Sequence, residues 1–168
     1  MIIPLVKDKS GNLNDSDNYR AITIGPVIAK VMEKVILKLC QDNLRTDDLQ
    51  FGFKQGLGCT NAVYLCRSTI DHFTYRGSNV YAATLDIKKA FDKVNHYKLF
   101  VSLLKAGVHL CIVAILADWY CKMFVMVKWN GCLSDWFPAR SGVWQGSMLS
   151  PNLFTAFTNI FILSHKKS

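Results

Sequence analysis

One acid closes an apolar run in "NVYAATLDI", residues 79–87: Asp86, with Lys88 and Lys89 just after it and an aromatic, Phe91, five residues on. A carboxylate fixed where an apolar strand runs out is rigidly held, which suits metal binding. The same aspartate also reads as the N-cap of a short helix over residues 88–93, a position that Asp favours. From Asp86 alone both readings stay open. A small metal-dependent nuclease has less support, because no second cluster of acids accompanies Asp86. Zinc chemistry is not indicated: the six cysteines form no C-x-x-C pair, and none stands near a histidine at zinc spacing. Cys40, Cys66 and Cys111 fall on apolar helical positions and are expected as reduced core thiols of an intracellular protein.

The elements that must position these residues follow from pattern. Residues 1–7 and 19–24 are short β-prone runs joined by the polar "DKSGNLNDSDN", which predicts a hairpin with a long tip. Pro26 suits a first helical turn. After it Val27, Val31, Val35 and Leu39, beside Ile28, Met32, Ile36 and Cys40, recur at i, i+4 and predict one apolar helix face. "LQFGFKQGLGCTNAV" is read as a loop, after which Thr60 caps a helix over about residues 61–75. Residues 79–87 make the best strand candidate in the chain. Helices are expected over 96–106, stopped by Gly107, and over 110–122. Asn130-Gly131 predicts a type I′ hairpin within "FVMVKWNGCLSDWF". Ser150-Pro151 opens a last helix to about residue 165. Strands and helices mix without a regular βαβ period, so the expected class is α+β.

Composition narrows the partners. At 168 residues and 51% hydrophobic, the chain can bury a core without disulfides or a structural metal. Its net charge is +8, and residues 77–168 carry ten Lys/Arg against four acids. That excess favours a polyanion, nucleic acid before anionic membrane. The longest apolar run, "LCIVAILA" at 110–117, falls far below the roughly 20 residues of a membrane span, so no membrane partner is expected. The start "MIIPLVKDKSG" lacks the basic segment of a signal peptide.

"LDIKKAFDKV" at 85–94 and "SGVWQGSMLSP" at 141–151 together resemble the polymerase motifs A and B of reverse transcriptases, those of non-LTR retrotransposons above all. "NYRAITIGPVIAKVMEKVI" and "LQFGFKQGLGCTNAV" resemble the finger-region blocks of the same family, in the right order. The resemblance implies the fingers (about 1–78) and an incomplete palm (79–168) of a right-hand polymerase. It implies RNA-directed DNA synthesis on an RNA template with a DNA primer and deoxynucleoside triphosphates.

Residue roles are implied in the same way. Asp86 matches the motif A aspartate, a Mg²⁺ ligand, with the backbone carbonyl of Ile87 beside it. Two such metals, roughly 3.5–4 Å apart, would activate the primer 3′-hydroxyl and neutralise the leaving oxygens. Phe91 matches the aromatic that excludes a 2′-hydroxyl. Arg20 and Lys7 match basic groups that grip the triphosphate, Arg through bidentate phosphate contacts. Gln145 and Gly146 match the Gln-Gly of motif B, and Lys54 lies in a block that supports the template. Three features depart from the family pattern. Ala21 stands where Pro is common, and Trp144 where Pro or Arg is usual. No Asp-Asp pair follows residue 48, so motif C and the thumb are expected to be missing. The sequence thus points to a polymerase domain inactive as this fragment, with a non-catalytic, nucleic-acid-binding retrotransposon remnant as the alternative.

Overall fold

The computed structural model describes residues 1–44, 46–48, 50–54 and 56–165. The chain divides into two compact units, Met1–Arg45 with Ala90–Ser168, and Thr46–Lys89. Each is described by itself.

The larger unit opens with the expected hairpin. Strands β1 (Ile2–Val6) and β2 (Tyr19–Thr23) pair antiparallel, Leu5 opposite Arg20 and Ile3 opposite Ile22. Its tip is held by local side-chain bonds: Asp8 accepts from the backbone N–H and hydroxyl of Ser10, and the Asn18 amide donates to the Asp8 carbonyl. Helix α1 (Val27–Cys40) follows, then, after the smaller unit, α3 (His96–Lys105) and α4 (Leu110–Cys121). The Asn95 side chain caps α3 by accepting from the Lys98 N–H. Gly107, at φ +84°, ends it: its N–H and that of Val108 donate to the carbonyls of Leu104 and Leu103, the paired bonds of a left-handed helix stop. Four two-residue strands come next, β3 (Phe124–Val125), β4 (Lys128–Trp129), β5 (Cys132–Leu133) and β6 (Phe137–Pro138). The pair β4–β5 turns at Asn130-Gly131, both at positive φ, as a type I′ turn requires. Helix α5 (Ser150–His165) closes the unit.

The core lies among α1, α3, α4 and α5: Ile36 and Cys40, Leu99 and Leu103, Val113 and Leu116, Leu153 and Ala156, with Val94, Val143 and Leu149 from the connecting loops. In the smaller unit α2 (Cys59–Tyr75) is capped by Gly58, whose N–H donates to the Asn61 side chain, rather than by Thr60. Gly77 ends it with the same paired bonds as Gly107. No helix among the described residues is long and apolar enough to cross a membrane.

Three expectations fail, each for a physical reason. Residues 79–87 form no strand; no backbone hydrogen bond joins residues 79–86 to any other described residue. β-propensity is a preference for a pleated, half-buried surface, and a strand without a ladder partner is not one. The apolar face of α1 is mostly solvent-facing: Val27 and Ile28 are 77% and 74% exposed, while Glu33, Ile36 and Cys40 turn inward. The helix carries two apolar stripes and the core needs one. Of the three expected core thiols only Cys40 is buried: Cys66 lies on α2, none of whose residues is buried, and Cys111 on the side of α4 away from Val113, Leu116 and Tyr120. Leu49 and Gln55, in the expected loop, lie outside the described residues.

Candidate functional site

Residues 91–94 run beside the Gln-Gly segment. The Gly142 N–H donates to the Val94 carbonyl (2.8 Å) and the Val143 N–H to the Phe91 carbonyl (2.9 Å). The Ser141 hydroxyl donates to the Asp92 carbonyl at 3.3 Å. His96 Nε2 lies 2.8 Å from the Gly142 carbonyl, which only accepts, so Nε2 carries the proton. Gly142 is required here. At φ +89° any Cβ would sit 3.0 Å from the Asp92 carbonyl oxygen.

Two residues later the same segment meets the hairpin. The Thr23 N–H donates to the Gln145 carbonyl at 2.7 Å, and Ile22 and Gln145 form a parallel bridge. A Cβ on Gly146, at φ +111°, would lie 2.7 Å from the Thr23 carbonyl oxygen, a distance that real side chains do not adopt. Backbone can approach backbone this closely only at glycine. Below it, Glu33 of α1 is 4% exposed, and its carboxylate accepts from the Met148 N–H at 2.7 Å. The Ser147 hydroxyl accepts from the N–H groups of Leu149 and Ser150 and so starts α5. Tyr120 is buried close by. Loss of water, and then the Glu33 carboxylate, push its phenol well above the ordinary range. Glu33 was not among the expected site residues. The signal for it was present, since the chain's only glutamate interrupts an apolar helix.

The hairpin, residues 91–94 and residues 141–149 are therefore one hydrogen-bonded assembly. It brings Phe91, Gln145 and Gly146 onto shared backbone, with Arg20 on β2 two residues before Ile22. A cavity of about 300 Å³ adjoins it, lined by Thr23, Asp92, Arg140, Trp144 and Gln145 among others. Trp144 is half-buried against the core as well as lining that cavity. Phe91 is half-buried and stacks on Phe154, centroids 4.7 Å apart and planes at 14°. Arg20 is exposed. The Lys7 ammonium donates to the Asp17 carbonyl at 2.7 Å.

The remaining expected residues belong to the smaller unit. Lys54 lies 3.6 Å from Asp48 and donates to the Asp47 carbonyl at 3.5 Å, so its ammonium braces its own loop. Asp86 and Ile87 are exposed, in a segment without regular secondary structure.

A mixed α+β domain with a hairpin bonded to a Gln-Gly loop is what these observations define. The reverse transcriptase (RNA-dependent DNA polymerase) family model matches residues 6–168, and the chain belongs to that family. It is similar to the retrovirus-related Pol polyprotein from type-2 retrotransposable element R2DM of Drosophila melanogaster, 26% identical over 137 residues, 82% of this chain and 13% of the relative. It is similar to the RNA-directed DNA polymerase from mobile element jockey of the same fly, 29% identical over 152 residues, 86% of this chain and 16% of the relative. It is also similar to that fly's probable RNA-directed DNA polymerase from transposon X-element, 27% identical over 164 residues, 94% of this chain and 18% of the relative. The chain thus spans under a fifth of the length of these curated relatives.

The family uses Mg²⁺. Mg²⁺ keeps several waters and takes one or two carboxylates plus substrate phosphates. Among the described residues no group of three or more His, Cys, Asp or Glu side chains could hold a metal. A single carboxylate with a backbone carbonyl, such as Asp86 and Ile87 present, falls short of the donor set of a two-metal centre.

Proposed function

We propose that this chain is the nucleotide- and template-facing portion of an RNA-directed DNA polymerase, fingers with part of the palm, and that by itself it binds nucleic acid without extending a primer. The observation that carries the reading is the Thr23–Gln145 bond with Gly146 pressed on Thr23, which supports a Gln-Gly motif B seated on a finger hairpin. In this reading Gln145 contacts the template–nucleotide pair and Arg20 and Lys7 draw in the triphosphate. Lys54 braces the template-supporting loop. Phe91 stands at the sugar's 2′ carbon, and stacking on Phe154 fixes its ring. Asp86, with the Ile87 carbonyl, contributes one carboxylate to a Mg²⁺ site. The partners are an RNA template, a DNA primer and deoxynucleoside triphosphates. The +8 charge supports phosphate-driven, sequence-independent binding.

Fluorescence anisotropy with a labelled RNA–DNA template–primer tests this. Each neutralised phosphate contributes about −0.9 to the slope of log K against log salt for duplex DNA, so a slope of about −2 or steeper is expected. Absence of binding at low salt, or an affinity indifferent to salt, refutes it. Template-dependent incorporation by the pure chain, abolished by Asp86→Asn, refutes the expectation that it does not extend.

A further inference from the structure

We infer that Glu33 is a positioning residue: from α1 it fixes where the Gln-Gly loop sits, and so how Gln145 is presented to the template–nucleotide pair, a role that rests on the function proposed above. All the groups involved belong to the larger unit. The loop is held at both ends by one short stretch of chain, from Thr23 to Glu33. At its start the Thr23 N–H donates to the Gln145 carbonyl at 2.7 Å. At its end the Met148 N–H donates to the Glu33 carboxylate, also at 2.7 Å. Burial does not hold that end, because Met148 is 46% exposed. The carboxylate is the tether.

Two simpler roles fit less well. Glu33 is not needed to start α5, since the Ser147 hydroxyl already accepts from the N–H groups of Leu149 and Ser150. Glu33 reaches further back, to Met148 in the loop itself. Nor does it serve the core as filling. Glu33 is 4% exposed, and among the described residues no Lys, Arg or His side chain pairs with it. Taking a carboxylate out of water without a cationic partner is costly, and an apolar residue of similar size would fill the same space at less cost. What an apolar residue lacks is the acceptor. A buried acceptor that a loop must find selects one arrangement of that loop over its neighbours.

Amide hydrogen exchange of the whole chain, followed residue by residue by NMR, is the test, with Glu33→Leu and Glu33→Gln beside the wild type. In the wild type the Met148 amide should be protected although the residue is exposed. Glu33→Leu keeps bulk and removes the acceptor, so the Thr23 and Met148 amides should exchange about tenfold faster or more while Leu103 in α3 keeps its rate. Glu33→Gln keeps an oxygen and should restore protection. A merely structural role would speed exchange throughout the core instead. On a labelled RNA–DNA template–primer, Glu33→Leu should weaken binding by about threefold or more, and should add nothing in a Gln145→Ala background, because both changes act through one contact. A Met148 amide that exchanges freely in the wild type overturns the inference, even where a variant fails to fold. So does equal acceleration of Thr23 and Leu103, or a Glu33→Gln chain as fast as Glu33→Leu. So does binding that Glu33→Leu leaves unchanged, or weakens as much without Gln145 as with it. If the wild type binds no template–primer, the function proposed above fails, and exchange still decides whether Glu33 sets the loop.

Discussion

Replacing Gly146 by Ala perturbs the contact on which the candidate site is built. A non-glycine residue in a sparsely populated region such as φ +111° costs about 1–3 kcal/mol. The added Cβ would sit 2.7 Å from the Thr23 carbonyl oxygen, which is backbone and cannot swing away. Relief requires β2 and the Gln145 segment to part, which lengthens the 2.7 Å Thr23–Gln145 bond, worth about 0.5–1.5 kcal/mol net. The expected loss is about 2–4 kcal/mol, a large share of the ~5–15 kcal/mol of an ordinary domain. Urea unfolding followed by tryptophan fluorescence reads it directly. With a slope of about 2 kcal/mol per M the midpoint should fall by roughly 1–2 M. Gly25→Ala is the control, because that glycine has ordinary φ and open space around its Cβ position; it should stay within about 0.5 kcal/mol of the parent. If Gly146→Ala matches Gly25→Ala, the close approach is not a feature of the folded chain and the assembly of hairpin and Gln-Gly loop is wrong.

Glu33→Ala should cost about 1–3 kcal/mol, because it removes the buried carboxylate that accepts from the Met148 N–H, whereas Glu33→Gln keeps an oxygen in place and should cost less; equal losses in urea unfolding would show that the bond carries no weight. Tyr120 has its folded pKa raised above the unfolded value near 10, so its contribution is intact below about pH 10 and fades as pH rises further, when the unfolded phenol ionises first. The difference in stability between wild type and Tyr120→Phe should therefore change between about pH 9 and 11 and stay flat below; a difference constant across that range refutes it. In a chimera that supplies the further palm strands and thumb of an active relative, with Trp144→Pro, Asp86→Ala should abolish nucleotide addition. Phe91→Val in the same chimera should admit ribonucleotides while keeping deoxynucleotide addition, with selectivity changed at least tenfold, about 1.4 kcal/mol or more. Selectivity that stays fixed while activity survives would make Phe91 solely a core residue, packed on Phe154.

What the sequence determined by itself is what short-range rules encode. The Asn130-Gly131 turn and the stop of α3 at Gly107 each follow from residues within a few positions, and the hairpin from two β-prone runs about a polar, turn-rich tip, because φ > 0, turn type and strand preference are local demands. Family membership was equally legible, since ordered motifs survive in the sequence whatever the chain does in space. Tertiary structure alone decided which of the two apolar stripes of α1 is buried, because periodicity marks a face and not its neighbour. It decided that Glu33 turns inward to the Met148 N–H across more than a hundred residues of chain, and that Gly146 needs its missing Cβ because of Thr23. It also decided against a strand at 79–87. Local preference there is strong, but a strand is made by the hydrogen bonds of a neighbour, and no spacing within nine residues can supply one.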